Sequence, residues 1–293
     1  MLQPFPISGL PTRIGCYLVL LGVSALFFWK QFSNLAILAM HDDRYSYTIV
    51  IPFISAVLIW LRRSIIFPNS YLNPRIGIPV LAAAALLCFW AGRQTADLWL
   101  PIASVVMIWT AGFLLFFGPS SLHAAMFPML LLWLLVPIPD TYMTFIEIGL
   151  QRASAEMAYA LFRLTGMPVF RQGLTFSLPG VDVQVAEECS GIRSSVSLVI
   201  VALIASQLFL KSGWRQLCLT LLAVPIVIFK NAVRITTLSW LGVYVSPGFF
   251  FGNLHRYGGL PFSLLTFVLL IPILLALQSS ERRSATTAAR SAK

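Results

Sequence analysis

Three kinds of reactive side chain interrupt an otherwise apolar chain of 293 residues: a thiol at Cys189, a guanidinium at Arg234 and an imidazole at His255. Cys189 lies in Glu187-Glu188-Cys189-Ser190-Gly191-Ile192-Arg193, just ahead of a long apolar run. Ser190 reads as a helix N-cap, which sets the thiol one residue before a helix N-terminus. The partial positive charge there, with Arg193 nearby, favours a thiolate, while Glu187 and Glu188 oppose it. A lone cysteine in such a place is ordinarily an inert loop residue, so a reactive role requires partners. Lys230, Asn231 and Arg234 stand inside the apolar stretch 217–245. A cation at that depth costs about 2.5–3.5 kcal/mol on insertion scales and turns toward the protein interior. Spacings of three and four put all three on one helix face. Helix packing or snorkelling is the competing explanation of such charges, weaker for Asn231 with Arg234 than for Lys230, and solvation is the ordinary one of a loop histidine like His255. Taken together, a thiol nucleophile, an imidazole acid/base and a guanidinium that binds oxyanion charge are the parts of acyl transfer.

The elements that must position these groups are transmembrane helices. Hydrophobic residues make up 58% of the chain and charged ones 10%, against about 25% charged in a soluble domain. The apolar residues fall in blocks, and a bilayer crossing takes about 20. They lack the alternation of a membrane β-barrel. The expected fold is therefore an all-α polytopic membrane protein with about eight spans: 14–29, 49–61, 76–92, 98–117, 124–139, 192–210, 217–241 and 260–278. With the N-terminus inside, Arg13, Arg62, Arg63, Arg75, Lys211, Arg215, Arg282, Arg283, Arg290 and Lys293 become cytoplasmic, and so do both termini. Arg234 then lies 17 residues beyond Leu217, about 26 Å along the helix and close to the outer surface. Cys189 opens span six and His255 precedes span eight, so the three groups share one depth at the mouths of consecutive helices. Lys230 lies about one turn deeper.

The segment 140–191 departs from the rhythm of span and loop. Residues 141–165 mix Phe145, Ile148, Ala155, Ala158, Leu161 and Phe162 with Glu147, Arg152, Glu156 and Arg163, which predicts an amphipathic helix in the interface or across the bundle. Period-two alternation through Leu174, Phe176 and Leu178, then Pro179-Gly180, then Val181, Val183 and Val185 predicts a short extracytoplasmic β-hairpin before the sixth span. Residues 1–278 read as one domain, and the polar stretch 279–293 as a disordered basic cytoplasmic tail.

Several classes are disfavoured. The net charge of +10 sits singly or in pairs at the ends of apolar runs, as topology determinants and not as a nucleic-acid surface. Cys16, Cys88 and Cys218 lie in or beside apolar runs and read as small hydrophobes. No CxxC or metal spacing is present, and Cys189 with His255 falls short of the three or four ligands zinc takes. No cofactor is expected. The first apolar run has no small-residue cleavage site and does not read as a removable signal.

The sequence resembles the exosortase/archaeosortase family of membrane proteins. The likeness is carried by Val185-Ala186-Glu187-Glu188-Cys189-Ser190-Gly191-Ile192-Arg193-Ser194, by Val224-Pro225-Ile226 leading to Asn231-Ala232-Val233-Arg234-Ile235, and by His255 with Gly258. Gly166-Met167-Pro168-Val169, Leu178-Pro179-Gly180 and the aromatic-serine-rich start of span two ending in Arg62-Arg63 are also similar. The resemblance implies a cysteine protease or transpeptidase that processes C-terminal sorting signals (PEP-CTERM-like) of exported proteins: a short motif, a transmembrane helix and a basic tail. It implies Cys189 as nucleophile, Arg234 as oxyanion or substrate clamp and His255 as acid/base, with Glu188, Ser190, Gly191, Arg193 and Asn231 in support. One departure is Ser46-Tyr47-Thr48, where many members carry Ser-His-Gly. Two other classes stay open on the residues alone. Lys230 and Arg234 would suit an anion transporter or channel, although no inverted repeat is visible. A non-catalytic scaffold for exopolysaccharide export would need neither Cys189 nor His255.

Overall fold

The computed structural model describes residues 9–91, 97–184, 192–246, 248 and 259–291. The chain forms two compact units, Met1–Asp140 and Thr141–Lys293. Both are mostly helical, and both turn large apolar side chains outward: Phe27 is 81% exposed and Leu164 82%. Hydrocarbon takes the place of water around such a surface, and helices satisfy their own backbone groups there. Among the described residues five helices are long and apolar enough to cross a membrane: Leu10–Phe27, Arg44–Leu61, Trp99–Ala124, Gly213–Tyr244 and Phe262–Ser284. A sixth is added if the broken pair Met126–Leu135 and Asp140–Leu164 is one span. Shorter apolar helices, Pro74–Leu87 and Ser195–Phe209, lie where two further spans are predicted. The protein is a multi-pass membrane protein.

The first unit contains α1 (Leu10–Phe27), α2 (Trp29–His41), a 3-10 segment (Asp43–Ile49), α3 (Ile51–Leu61), α4 (Arg63–Ile66), α5 (Pro74–Ala91), α6 (Trp99–Ala124) and α7 (Met126–Leu131), followed by a 3-10 turn at Leu132–Leu135. Its order follows from one break. Gly118 adopts φ 82°, ψ 171° inside α6, and Pro119 follows it. Proline has no N–H, so the carbonyl of Leu115 loses its helical donor. The N–H of Asn73 replaces it at 2.8 Å, the N–H of Tyr71 donates to Phe117 O at 3.3 Å, and Arg13 donates to Phe116 O at 3.5 Å. Three orphaned carbonyls thus draw the start of α1 and the approach to α5 onto one end of α6. Farther along, Tyr17 Oη donates to Trp109 O at 3.2 Å and Trp109 Nε1 donates to Ser24 Oγ at 2.9 Å. Ser55 Oγ joins α3 to α7 by donating to Pro128 O at 2.8 Å.

The second unit contains α8 (Asp140–Leu164), three strands, α9 (Ile192–Phe209), α10 (Gly213–Tyr244) and α11 (Gly259–Ser291). Gly166, at φ 72°, ends α8 in a Schellman turn: Met167 N–H donates to Phe162 O at 3.1 Å and Gly166 N–H to Arg163 O at 3.3 Å. The predicted hairpin is present as β2 (Thr175–Leu178) and β3 (Val181–Gln184), in register Leu178↔Val181 and Phe176↔Val183 around Pro179-Gly180. A third strand, β1 (Phe170–Gln172), pairs antiparallel with β2. It is too short for alternation to reveal it, and Gly173 at φ 62° makes its tight turn. Phe176 and Leu178 project from one face of β2 into a core with Ala155, Ala158, Phe162, Ala232 and Ile235.

Two findings depart from the sequence-based expectations. Helix α11 continues to Ser291, through the stretch read as a disordered tail from 279 onward. Glu281 explains the continuation: its carboxylate accepts the N–H groups of Lys211 at 3.1 Å and Ser212 at 2.7 Å. Arg215 adds donations to Ser280 and Ser284 at 3.4 and 3.0 Å. In α8 the amphipathic pattern is inverted over its first half. Phe145 is 80% exposed, whereas Glu147, Gln151 and Ser154 are buried. Where the outside is lipid, the polar row is the one that turns inward.

Candidate functional site

The predicted site residues Lys230, Asn231 and Arg234 belong to a helix of the second unit's three-helix cluster. Leu198 and Ala202 of α9, with Leu210 just beyond its end, pack with Leu219, Ala223, Ile226 and Val227 of α10 and Leu270 of α11. One end of this cluster is pinned. Gln207 Nε2 donates to Gln216 Oε1 at 2.9 Å, Gln216 Nε2 to Leu210 O at 2.9 Å, and Glu281 holds the α9–α10 turn. Measured from that end at 1.5 Å per residue, Ile192 lies about 26 Å away on α9, Arg234 about 32 Å on α10 and Gly259 about 33 Å on α11. The start of α9, the Arg234 turn of α10 and the start of α11 therefore lie at similar depths along the cluster, within about one to two helical turns measured along the helix axes.

Lys230 and Asn231 are buried, and Arg234 is half-buried. Their neighbours on α10 face two cores. Ile226 and Val227 enter the three-helix cluster, whereas Ala232 and Ile235 pack on the sheet and α8. The Asn231–Arg234 turn sits at the junction of these cores, which immobilises the backbone carrying both polar groups. Continuing along the helix, Thr236 and Ser239 are also buried, and their hydroxyl oxygens have no hydrogen-bond partner among the described residues.

Of the other predicted site residues, Glu188, Cys189, Ser190, Gly191 and His255 lie outside the described residues, as does the side chain of Arg193. Cys189 precedes Ile192, the first residue of α9, by three positions, and His255 precedes Gly259, the first residue of α11, by four. Ser46-Tyr47-Thr48 falls in the first unit's 3-10 segment, where Thr48 is buried and its Oγ1 donates to Tyr45 O at 2.8 Å.

The family model for the transmembrane exosortases matches residues 29–272, from α2 to the middle of α11. The chain belongs to the exosortase family. No curated protein and no solved structure matches it.

Sequence reasoning did not single out the buried row Glu147, Gln151 and Ser154 of this exosortase-family protein. Its spacing of four and three marks one helix face. Beside the exposed Tyr142, Phe145 and Ile146, that spacing identifies the inward face once lipid is taken as the outer solvent.

Proposed function

We propose that this exosortase-family chain is a membrane cysteine protease or transpeptidase acting on the C-terminal sorting signals of exported proteins. The observation that supports the reading is the similar depth of the α9 start, the Arg234 turn and the α11 start along the three-helix cluster. A chain spans at most about 3.6 Å per residue, so Cys189 is tethered within about 11 Å of Ile192 and His255 within about 14 Å of Gly259.

The chemistry follows from the groups. The Cys189 thiolate attacks the carbonyl carbon of the scissile peptide, and the Arg234 guanidinium binds the oxyanion that forms. Collapse expels the amine, which takes a proton from His255, and leaves a thioester on Cys189. Water or an acceptor amine on a glycan or lipid then attacks the thioester and gives its proton to His255, which regenerates the thiolate. Asn231, one turn below Arg234, orients the guanidinium, while Glu188, Ser190, Gly191 and Arg193 shape the nucleophile's loop. The fold of this reading has eight spans, with residues 1–278 forming one membrane domain. Both termini are cytoplasmic, and the site opens on the extracytoplasmic side of a bacterial plasma membrane.

Mass spectrometry of a candidate substrate's new C-terminus tests the reading. Such a substrate carries a short motif, an apolar helix and a basic tail. Cys189→Ala is expected to abolish cleavage without loss of membrane insertion, and Arg234→Gln to slow it by about 10²–10³-fold. Normal processing by a well-expressed Cys189→Ala protein refutes the proposal.

A further inference from the structure

A cavity of about 780 Å³ opens between α1, α2, α5 and α6 of the first unit. Leu20, Val23, Phe27, Leu81 and Phe89 make it apolar, and Gln31 contributes a side-chain amide. The other polar group in the wall is satisfied: Ser24 Oγ donates to Leu21 O at 2.9 Å and accepts from Trp109 Nε1. Gln31 differs. Its Oε1 is buried and accepts no hydrogen bond among the described residues. Neighbours hold it there, since Phe28 is buried and Phe32 stacks on Trp109 at 5.9 Å with ring planes 12° apart. A buried acceptor without a donor is costly, and a ligand that brings a donor removes the cost.

The place of the cavity says what that ligand is. Its walls belong to helices that face hydrocarbon, so an alkyl chain fills it without the penalty of wetting apolar surface. Gln31 lies where the apolar run of α1 ends, beside the exposed Trp29 and Lys30. An aromatic and a lysine at such a boundary mark the level of lipid headgroups. This end is remote from Arg13, which is anchored at the opposite end of α1.

We propose that the cavity is a binding site for one glycerophospholipid. An acyl chain lies between α1 and α5, a donor-bearing headgroup hydrogen-bonds Gln31 Oε1, and the phosphate sits beside Lys30. Phosphatidylethanolamine brings an ammonium donor and phosphatidylglycerol a hydroxyl donor, whereas phosphatidylcholine of the same chains brings none. The site requires nothing of the proposed peptide chemistry.

The test uses the full chain, delipidated in detergent and then titrated with each of the three lipids, read by native mass spectrometry. Phosphatidylethanolamine, phosphatidylglycerol or both are expected to be retained about tenfold more tightly than phosphatidylcholine. Gln31→Leu is expected to erase that preference while keeping the fold, since it swaps an unsatisfied amide for an apolar group of similar size. Lys30→Gln weakens the retained lipid, and Ala85→Phe, which fills the cavity, abolishes retention. Equal retention of all three lipids by both the unaltered protein and Gln31→Leu overturns the proposal, as does a photo-crosslinker at position 85 that captures a polypeptide helix in place of lipid.

Discussion

Phe176 is a residue through which the three-stranded sheet grips the helix bearing Arg234. It is fully buried on β2, meets Phe162 of α8 edge-on at 5.2 Å, and shares a core with Ala232 and Ile235 of α10. Replacing it with alanine removes a whole ring from a site whose neighbours include Ala155, Ala158 and Ala232. Those methyl groups cannot swing inward to fill the space, so the cost falls in the upper part of the range for such truncations, about 4–5 kcal/mol. At roughly 2–4 °C per kcal/mol for a unit of this size, the melting temperature in detergent falls by roughly 8–20 °C. Thermal-stability profiling by size-exclusion chromatography measures it, with Phe145→Ala as control because that ring is 80% exposed on α8. Because Ala232 and Ile235 flank Arg234, substrate processing falls together with stability. Phe176→Leu, which keeps most of the apolar volume, loses less of both. If Phe176→Ala melts with the Phe145→Ala control, the sheet does not brace α10 and the reasoning fails.

Two further outcomes are expected. A Cβ added at Gly77 would lie 2.5 Å from Leu115 Cα, a backbone atom of α6 that cannot yield, whereas one at Gly15 meets nothing within 4 Å. Gly77→Ala is therefore expected to destabilise the first unit by about 1–3 kcal/mol, and Gly15→Ala to be neutral or mildly stabilising, in the same melting assay. Arg171 of β1 pairs with Glu156 of α8 at 2.9 Å, and this hydrogen bond and the adjacent positive charge lower the Glu156 pKa from its usual 4.5. A depressed folded-state value means the pair supports the fold fully above pH 4.5 and loses that support as pH falls through the lower value. The unaltered protein should thus be slightly more stable than Glu156→Gln at pH 7, with the difference vanishing in acid. A difference that persists in strong acid would show that the pair is not its source.

Much of this architecture was legible in advance because lipid imposes a simple code. Apolar blocks become helices wherever backbone groups cannot reach water, and five of the predicted spans coincide with helices long enough to cross a membrane, whereas the block 124–139 holds only a short helix and a 3-10 turn. The inward turn of Lys230 and Asn231 was legible for the same reason, since polar groups amid apolar residues face the protein interior. The hairpin was readable because period-two alternation brackets Pro179-Gly180. What local pattern could not reveal depended on partners distant in sequence. Helix α11 outlasts its apolar run because Glu281 finds the N–H groups of Lys211 and Ser212, some 70 residues earlier. The inward turn of Glu147, Gln151 and Ser154 depends on which side of α8 meets protein, a matter the sequence of one helix leaves open. By itself the sequence determined the class of protein, the sites of its helices and the residues able to do chemistry. Only the tertiary structure decided that α9, α10 and α11 share an end pinned by Gln207, Gln216 and Glu281, because those contacts are made by side chains between helices and not within them.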